Sequence, residues 1–225
     1  MKPERTQAIV LRRTDYGESD RILQLITPLG KRSVMARGVR KPRSKLAGGI
    51  ELLAESEVVL RPGKGQLMVL GSARMASFYR AILADYDRLQ FAYEVLALVS
   101  RASEHVDNSE WFTVVHEVLA ALDDSRTSLA LTKAWFYLHY ARQMGDELST
   151  QRDGQGELLA ADVQYRYDVS EKALMRSSNG DVGASHIKLL RLLSARPLHV
   201  ARHVSGLEEY LAVVAALAHQ HAAVN

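Results

Sequence analysis

Residues 15–37 read DYGESDRILQLITPLGKRSVMAR, and this stretch decides the expected fold. It opens with a turn-forming segment at residues 15–18 and continues through residues 21–27, which are rich in strand-forming apolar side chains. A tight turn at residues 28–31 leads into a further strand at residues 32–37. The stretch therefore predicts two short strands bounded by turns, with Gly17 supplying a positive φ in the first turn.

Further strands are predicted on both sides of this stretch. They occupy residues 6–11, 51–60 and 66–70, and a hairpin-like turn at residues 62–65 separates the last two. Between the third and fourth strands, residues 38–49 predict a long basic loop. Five short strands without a long helix between them predict a small closed barrel, of which the five-stranded OB-fold is the commonest nucleic-acid-binding case.

Beyond residue 76 the spacing of apolar residues becomes helical. Helices are predicted over residues 78–101, 111–122, 129–144, 185–193 and 207–221. Residues 149–183 lose this spacing and predict an irregular insert with a short strand at residues 165–169. The predicted fold class is α+β, with an OB-fold domain at residues 1–76 and a helical domain at residues 77–225.

The charge is unevenly distributed along the chain. Residues 1–80 hold 16 Lys+Arg against 7 Asp+Glu, a net of +9, while residues 81–225 have a net of −6. Residues 31–45 contain seven cations and no acid: Lys31, Arg32, Arg37, Arg40, Lys41, Arg43 and Lys45. A solvated loop is one interpretation. Because seven like charges repel each other, we favour a polyanion that neutralises them.

Phosphate contact needs charge and reach rather than fixed spacing, so the basic segment supplies the expected nucleic-acid contacts. The residues predicted to contact phosphates are Arg37, Arg40, Lys41, Arg43 and Lys45, with Lys31, Arg32 and Lys64 extending the same track. The first Trp or Phe of the chain is Phe78, so an aromatic platform is not the expected main source of affinity. Tyr16 either stacks on a base or covers the end of the barrel.

Several function classes lack their motifs. The chain has no Cys, which excludes disulfides, thiolate zinc sites and cysteine nucleophiles, and it has no phosphate-binding loop or nucleophile elbow. We expect no enzyme activity, no cofactor and no metal. A nuclease using Asp15, Glu18 and Asp20 is the enzymatic alternative, but pairing of Glu18 or Asp20 with Arg21 or another barrel arginine is favoured.

The histidines predict no metal site either. His199 and His203 have ligand spacing but lack the intervening Glu of a zinc motif, so a structural or surface role is favoured. His219 and His221 are expected to be solvated. The beginning of the chain has no apolar segment typical of a signal peptide, and no apolar run reaches the length of a membrane span, so we expect a cytoplasmic protein with no membrane partner.

Taken together, the blocks at residues 6–11, 15–23, 30–31 and 36–46 resemble the opening of the RecO family of recombination mediators. The resemblance implies an OB-fold followed by a helical domain. It implies binding of single-stranded and double-stranded DNA, annealing of complementary strands, and help in loading RecA together with RecR on strands coated with single-stranded DNA-binding protein. RecF is a further partner to consider, and the implied location is the bacterial nucleoid.

One departure from the resembled family concerns zinc. Many members carry four cysteines in the back half, whereas this chain has none, so residues 149–183 are interpreted as a zinc-free insert held by packing and hydrogen bonds. Lys188 and Arg191 are candidate anchors for the acidic C-terminal tail of the single-stranded DNA-binding protein. The alternative function is an adaptor that does not bind DNA and whose basic loop contacts an acidic protein.

Overall fold

The computed structural model describes residues 2–223. The chain divides into two compact units, residues 1–123 and 124–225. Residues 224 and 225, at the end of the predicted helical domain, lie outside the described residues, as does residue 1. The first compact unit includes the barrel and two helices that follow it. The domain boundary between residues 76 and 77 stays a prediction.

The first unit is built on a closed barrel of five strands. The strands are β1 (Glu4–Tyr16), β2 (Asp20–Thr27), β3 (Gly30–Ala36), β4 (Ala54–Arg61) and β5 (Met68–Phe78). Their order around the barrel is β1-β2-β3-β5-β4, and all neighbours are antiparallel except β3 and β5, which are parallel. The predicted OB-fold class is thereby confirmed.

Side-chain alternation along the strands fills the barrel. Leu23 and Leu25 of β2 are buried, whereas Gln24 between them faces outward and is only half-buried. Val34 and Ala36 are the corresponding buried pair on β3. Burying one such leucine contributes about 2 kcal/mol relative to exposure, so a shift of register by one residue would be strongly disfavoured.

Glycine sets the turns at the ends of β2. Gly17 has a φ of +55° between β1 and β2, as predicted, and Gly30 has a φ of +94° at the start of β3. A Cβ on Gly30 would collide with the carboxylate of Asp107, which accepts a hydrogen bond from the Lys31 amide at 2.9 Å. The turn between β2 and β3 therefore needs glycine for both its conformation and its space.

Two helices complete the first unit, α1 (Tyr86–His105) and α2 (Glu110–Asp123). The prediction that helix begins at Phe78 is wrong, because Phe78 is the last residue of β5 and pairs with Ala54. A short 3-10 turn follows, and α1 starts only after Asp85, whose side chain accepts hydrogen bonds from the amides of Asp87 and Arg88. This N-cap satisfies donors that the first helical turn leaves open.

The second unit consists of four helices and a small two-stranded sheet. The helices are α3 (Leu129–Gln143), α4 (Ala184–Ala195), α5 (Leu198–Ala201) and α6 (Glu208–Ala223). Trp135 and Phe136 of α3 are buried in its core. Gly145 follows α3 with a φ of +90°, the expected conformation of a residue that ends a helix. No helix in residues 2–223 is both long and apolar enough to cross a membrane.

The irregular insert between α3 and α4 is held by hydrogen bonds. Its strands are β6 (Tyr165–Asp168) and β7 (Ala173–Arg176), which form a hairpin where one strand was predicted. The Asp153 carboxylate is buried, accepts hydrogen bonds from the amides of Gln155 and Glu157, and contacts Arg176 Nε at 3.1 Å. These bonds join the loop before β6 to the end of β7.

Candidate nucleic-acid interface

The predicted basic loop, residues 38–49, joins β3 to β4 and is fastened to the turn between β1 and β2. The Gly38 amide donates a hydrogen bond of 2.7 Å to Asp20 Oδ1, and the Arg40 amide donates one of 2.9 Å to the Ser19 carbonyl. Because both bonds involve the backbone of the loop, they determine where the loop leaves the barrel. The basic residues are therefore presented beside the β1–β2 turn.

Four of the predicted phosphate contacts lie in and beside this loop without a carboxylate next to them. They are Arg37, Lys41, Arg43 and Lys45, which we call the loop cluster, and all four are exposed. Within residues 2–223 none of them forms an ion pair. Four neighbouring cations without counter-charges create a positive potential that a polyanion would neutralise while releasing its condensed counterions.

Arg40, the fifth predicted contact in this segment, has a structural role at the base of the loop. Its guanidinium donates a hydrogen bond of 3.3 Å to the Gly17 carbonyl and lies 3.5 Å from the Asp15 carboxylate. Arg21 Nε donates to Asp15 at 2.8 Å. This hydrogen bond, with the charge of Arg40, lowers the pKa of Asp15. Among the acids near the β1–β2 turn, the one that pairs with Arg21 and Arg40 is therefore Asp15, rather than the predicted Glu18 or Asp20.

The remaining predicted contacts lie at the other end of β3. Lys31 and Arg32 are separated from Arg37 by most of the strand, about 20 Å at the usual rise per residue. Together with the β4–β5 loop around Lys64 they border a cleft of about 490 Å³. Arg32 is paired with Glu4 at 3.1 Å. The predicted phosphate contacts therefore form two separate groups, one at each end of β3. The group of Lys31, Arg32 and Lys64 is closer to charge neutrality, because Arg32 is paired with Glu4.

The outer face of β1, β2 and β3, which we call the strand face, carries residues that the sequence interpretation missed. Arg12 and Thr14, which were not predicted, alternate along β1 with the predicted Tyr16, and all three are exposed. Arg12 pairs in register with Gln24, and Gln24 pairs with Ser33 on β3. A shallow hollow of about 240 Å³ lies over these residues and reaches Lys31. The strand face therefore extends from the β1–β2 turn, beside the loop cluster, to Lys31 at the other end of β3.

Tyr16 lies at the end of the strand face next to the β1–β2 turn. Its side chain is 56% exposed, so it does not cover the end of the barrel. An exposed tyrosine next to cationic residues can stack on an unpaired base, which is typically worth about 1–3 kcal/mol. Base stacking by Tyr16 stays a prediction, and its geometry is compatible with the structure.

Two of the three acids considered for a nuclease, Asp15 and Asp20, are engaged in the structure of the turn. Asp15 is held by Arg21 and Arg40, and Asp20 accepts the Gly38 amide. In the part of the chain that the structure describes, no group of three or more His, Cys, Asp or Glu residues is arranged to hold a metal ion. The absence of enzyme activity stays a prediction.

The predicted tail anchors of the second unit differ in their surroundings. Lys188 is exposed on α4, whereas Arg191 Nε donates a hydrogen bond of 2.9 Å to the Thr150 carbonyl and so ties the insert to the helix. Arg191 thus has a structural contact that the sequence did not indicate. A role for either residue in binding a tail stays a prediction.

The prediction that His221 is solvated is wrong. His221 is 2% exposed, and its Nε2 and Nδ1 lie 2.7 Å from the Asp146 carbonyl and 2.8 Å from the Tyr167 hydroxyl. Burial lowers the pKa of His221. His219, by contrast, is exposed as expected. His199 lies in α5, which is a single turn that ends at Ala201, before His203, so the two histidines do not share one regular helix.

Fold and surface together define an OB-fold protein with a cationic loop and a helical second unit. Comparison with known families agrees for the front of the chain, because the family described as "Recombination protein O N terminal" matches residues 1–79. The protein named "DNA repair protein RecO" from Roseiflexus sp. (strain RS-1) is 31% identical over 205 residues, which cover 88% of this chain and 72% of that protein. The chain belongs to the RecO family.

Two further relatives carry the same printed name and match shorter stretches. The protein from Heliobacterium modesticaldum is 38% identical over 116 residues, 51% of this chain and 42% of its own length. The protein from Dehalococcoides mccartyi (strain ATCC BAA-2266) is 37% identical over 143 residues, 63% of this chain and 56% of its own length. The chain thus spans about half the length of these two relatives.

Proposed function

We propose that this chain is a DNA-binding recombination mediator in DNA repair. It binds single-stranded and double-stranded DNA through phosphates, anneals complementary strands, and assists RecA loading with RecR on strands coated with single-stranded DNA-binding protein. Membership in a family whose relatives are named DNA repair proteins supports the repair role. No bond is made or broken in this function.

The observation that carries the proposal is the loop cluster. Arg37, Lys41, Arg43 and Lys45 are exposed and form no ion pair within residues 2–223, although the adjoining Arg40 is neutralised by Asp15. Each cation that meets a phosphate releases counterions, so affinity arises largely from the gain in counterion entropy. Contacts of this kind position a backbone without reading its sequence, which suits a protein that must act on any DNA.

Annealing follows from the same electrostatics. Two complementary strands repel each other until their phosphates are neutralised. Cations arranged along the strand face and the loop cluster would lower this repulsion on both strands, and base pairing would then supply the free energy of the product. The residues involved need no change of protonation, because Lys and Arg stay charged at neutral pH.

The proposal that partner proteins dock on this chain rests on the charge of residues 81–225 rather than on a docking site seen in the structure. Residues 81–123 hold 2 Lys+Arg against 8 Asp+Glu, whereas residues 124–225 hold 11 of each. The net negative charge is therefore concentrated in residues 81–123, which include α1 and α2. A partner that contacts the acids of this segment would not compete with DNA for the loop cluster.

A salt titration of oligonucleotide binding tests DNA contact. We expect the logarithm of the affinity to fall linearly with the logarithm of the salt concentration, with a slope of about −0.7 to −0.9 for each phosphate contact. The double variant Lys41→Glu with Arg43→Glu should reduce affinity at least about 10-fold near 0.1 M salt and reduce the steepness of the slope by about 2. Arg40 is left unchanged because it fastens the loop.

The matched control is Lys188→Glu with Arg196→Glu, two exposed cations of the second unit that give the same change in net charge. This control should bind oligonucleotides as the unaltered chain does. Weak binding that is indifferent to salt and to both double variants would favour the adaptor that contacts an acidic protein. Magnesium-dependent cutting that is lost in Asp20→Ala would instead contradict the proposal that the chain is not an enzyme.

A further inference from the structure

A groove between β1 and α1 lies beside the strand face and has no role in the function proposed so far. It has a volume of about 320 Å³. Leu11, Leu52 and Leu96 contribute its apolar floor, and its rim includes Tyr93, Arg12 and Arg101. All of these residues belong to the first compact unit. We call this feature the α1 groove.

The α1 groove is continuous with the strand face. Arg12 lines both the α1 groove and the hollow on the strand face. Gln24 of the strand face donates a hydrogen bond of 2.8 Å to the carbonyl of Ser100, which lines the α1 groove. The Ser100 hydroxyl donates in turn to the Gln24 amide oxygen. A chain lying on the strand face would therefore pass over Arg12 directly into the groove.

The rim of the groove has the chemistry of a single-strand contact. Tyr93 is 43% exposed and projects from α1 at the groove, where a base could stack on its ring. Arg12 and Arg101 are exposed, and neither forms an ion pair in the described range 2–223. An aromatic ring and two unneutralised guanidinium groups in one groove offer stacking to a base and counter-charges to the neighbouring phosphates.

We propose that the α1 groove receives an unpaired base of a DNA strand that lies on the strand face. Tyr93 is the stacking residue, and Arg12 and Arg101 contact the neighbouring phosphates. This inference rests on the proposed function. In a duplex the bases are stacked on one another and their faces are not available, so the groove acts on single strands and not on duplex DNA.

An acidic peptide with an apolar side chain would meet similar chemistry in the α1 groove. Two features favour DNA as the occupant. Arg12 belongs to both the groove and the strand face, and Gln24 of the strand face is hydrogen-bonded to Ser100 of the groove. The groove therefore extends the surface on which we propose that the DNA backbone lies. A peptide site would require no such continuity. The experiment below distinguishes the two occupants.

Binding of a fluorescent single-stranded oligonucleotide and of the corresponding duplex should be measured for Tyr93→Ala. We expect single-strand affinity to fall roughly 5- to 100-fold, the range for loss of one base–aromatic stack, and duplex affinity to stay within about 2-fold. Tyr93→Phe should retain single-strand binding, because its ring is preserved. A single strand carrying 5-iodouracil should crosslink to Tyr93 on irradiation, which mass spectrometry of the tryptic peptides would detect.

The matched control is Tyr86→Ala, which removes a tyrosine from the same helix. Tyr86 is 73% exposed and does not line the α1 groove, so both affinities should be unchanged. If the unaltered chain binds neither form of DNA, the proposed function fails and this inference with it. If it binds both and Tyr93→Ala lowers neither affinity, or lowers both equally, only this inference is overturned.

One further outcome would assign the groove to a protein. A fluorescent peptide with several Asp residues and an aromatic C-terminus should bind no better to the unaltered chain than to Tyr93→Ala. Binding of this peptide that is lost in Tyr93→Ala, with unchanged binding of the single strand, would overturn the inference in favour of a peptide partner.

Discussion

Asp15 and Arg21 face each other directly across β1 and β2, and this pair decides how the basic loop is presented. Opposite charges in such a cross-strand pair stabilise a sheet modestly. The sequence analysis favoured Glu18 or Asp20 as the partner of Arg21, and the structure has Asp15 instead. The register explains the difference, because β1 continues to Tyr16 and brings Asp15 opposite Arg21, which leaves Asp20 to bind the Gly38 amide.

His221 gives the second unit a stability that depends on pH. Its neutral ring can donate from Nε2 to the Asp146 carbonyl and accept at Nδ1 from the Tyr167 hydroxyl, so protonation disrupts an arrangement that is already satisfied. Burial lowers the pKa of His221 in the folded state. The unfolded chain therefore takes up a proton first, and the stabilisation present above about pH 6.5 is lost as the pH falls.

Thermal unfolding between pH 7.5 and pH 5.5 tests this role of His221. We expect the melting temperature of the second unit to fall by several degrees over this interval. His221→Gln should have a lower melting temperature at pH 7.5 and a weaker dependence on pH, because the titrating group is gone. His219→Gln is the control, since His219 is exposed and should leave the profile unchanged. The same dependence on pH in His221→Gln as in the unaltered chain would contradict the assignment.

At the scale of secondary structure, the sequence predicted which strands exist better than it predicted where they end. The clearest case is β1, which was predicted over residues 6–11 and extends over residues 4–16. Its pairing with β2 shifts register between Val10 and Arg12, and residues 8–11 are all buried. A bulge of this kind interrupts the alternation on which strand prediction depends. The outward-facing Arg12 and Thr14 were missed for that reason, and Tyr16 was singled out only as a residue of a turn.

The insert between α3 and α4 supplies a prediction about metal independence. Burial alone would raise the pKa of Asp153, but the amide of Glu157 and the guanidinium of Arg176 outweigh it and lower the pKa. The charged carboxylate therefore organises the loop of the insert that the sequence predicts to be zinc-free. We expect Asp153→Ala to lower the melting temperature by several degrees, because two amides and Arg176 lose their acceptor.

The control for this variant is Asp162→Ala, which alters an exposed acid of the same insert and should change the melting temperature little. Addition of EDTA should leave the melting temperature of the unaltered chain unchanged, because we expect the insert to fold without a metal. A clear fall in melting temperature with EDTA would show that a metal does hold the insert. Equal effects of Asp162→Ala and Asp153→Ala would remove the special role of Asp153.

At the scale of the whole molecule, the sequence predicted a basic part and an acidic part of the chain, but it did not predict to which compact unit the net negative charge belongs. The division between a basic first 80 residues and an acidic remainder suggested a basic domain and an acidic one. The net negative charge instead lies in residues 81–123, which include α1 and α2 and belong to the same compact unit as the barrel. Residues 124–225 are balanced in charge. Composition cannot reveal this grouping, because the limits of a compact unit are determined by packing.

Annealing by simultaneous contact with two strands makes a prediction that simple binding does not. One molecule must hold phosphates of both strands, so the annealing rate should rise with protein concentration and then fall once every strand is saturated by its own molecules. Complementary strands with a methylphosphonate backbone carry no charge and should anneal at the same rate with and without protein, because there is no repulsion to neutralise. Lys41→Glu with Arg43→Glu should lose most of the acceleration on normal strands. Fluorescence quenching between labelled complementary strands would measure the annealing rate in each of these three experiments. A rate that only rises and levels off with protein concentration would contradict bridging by single molecules.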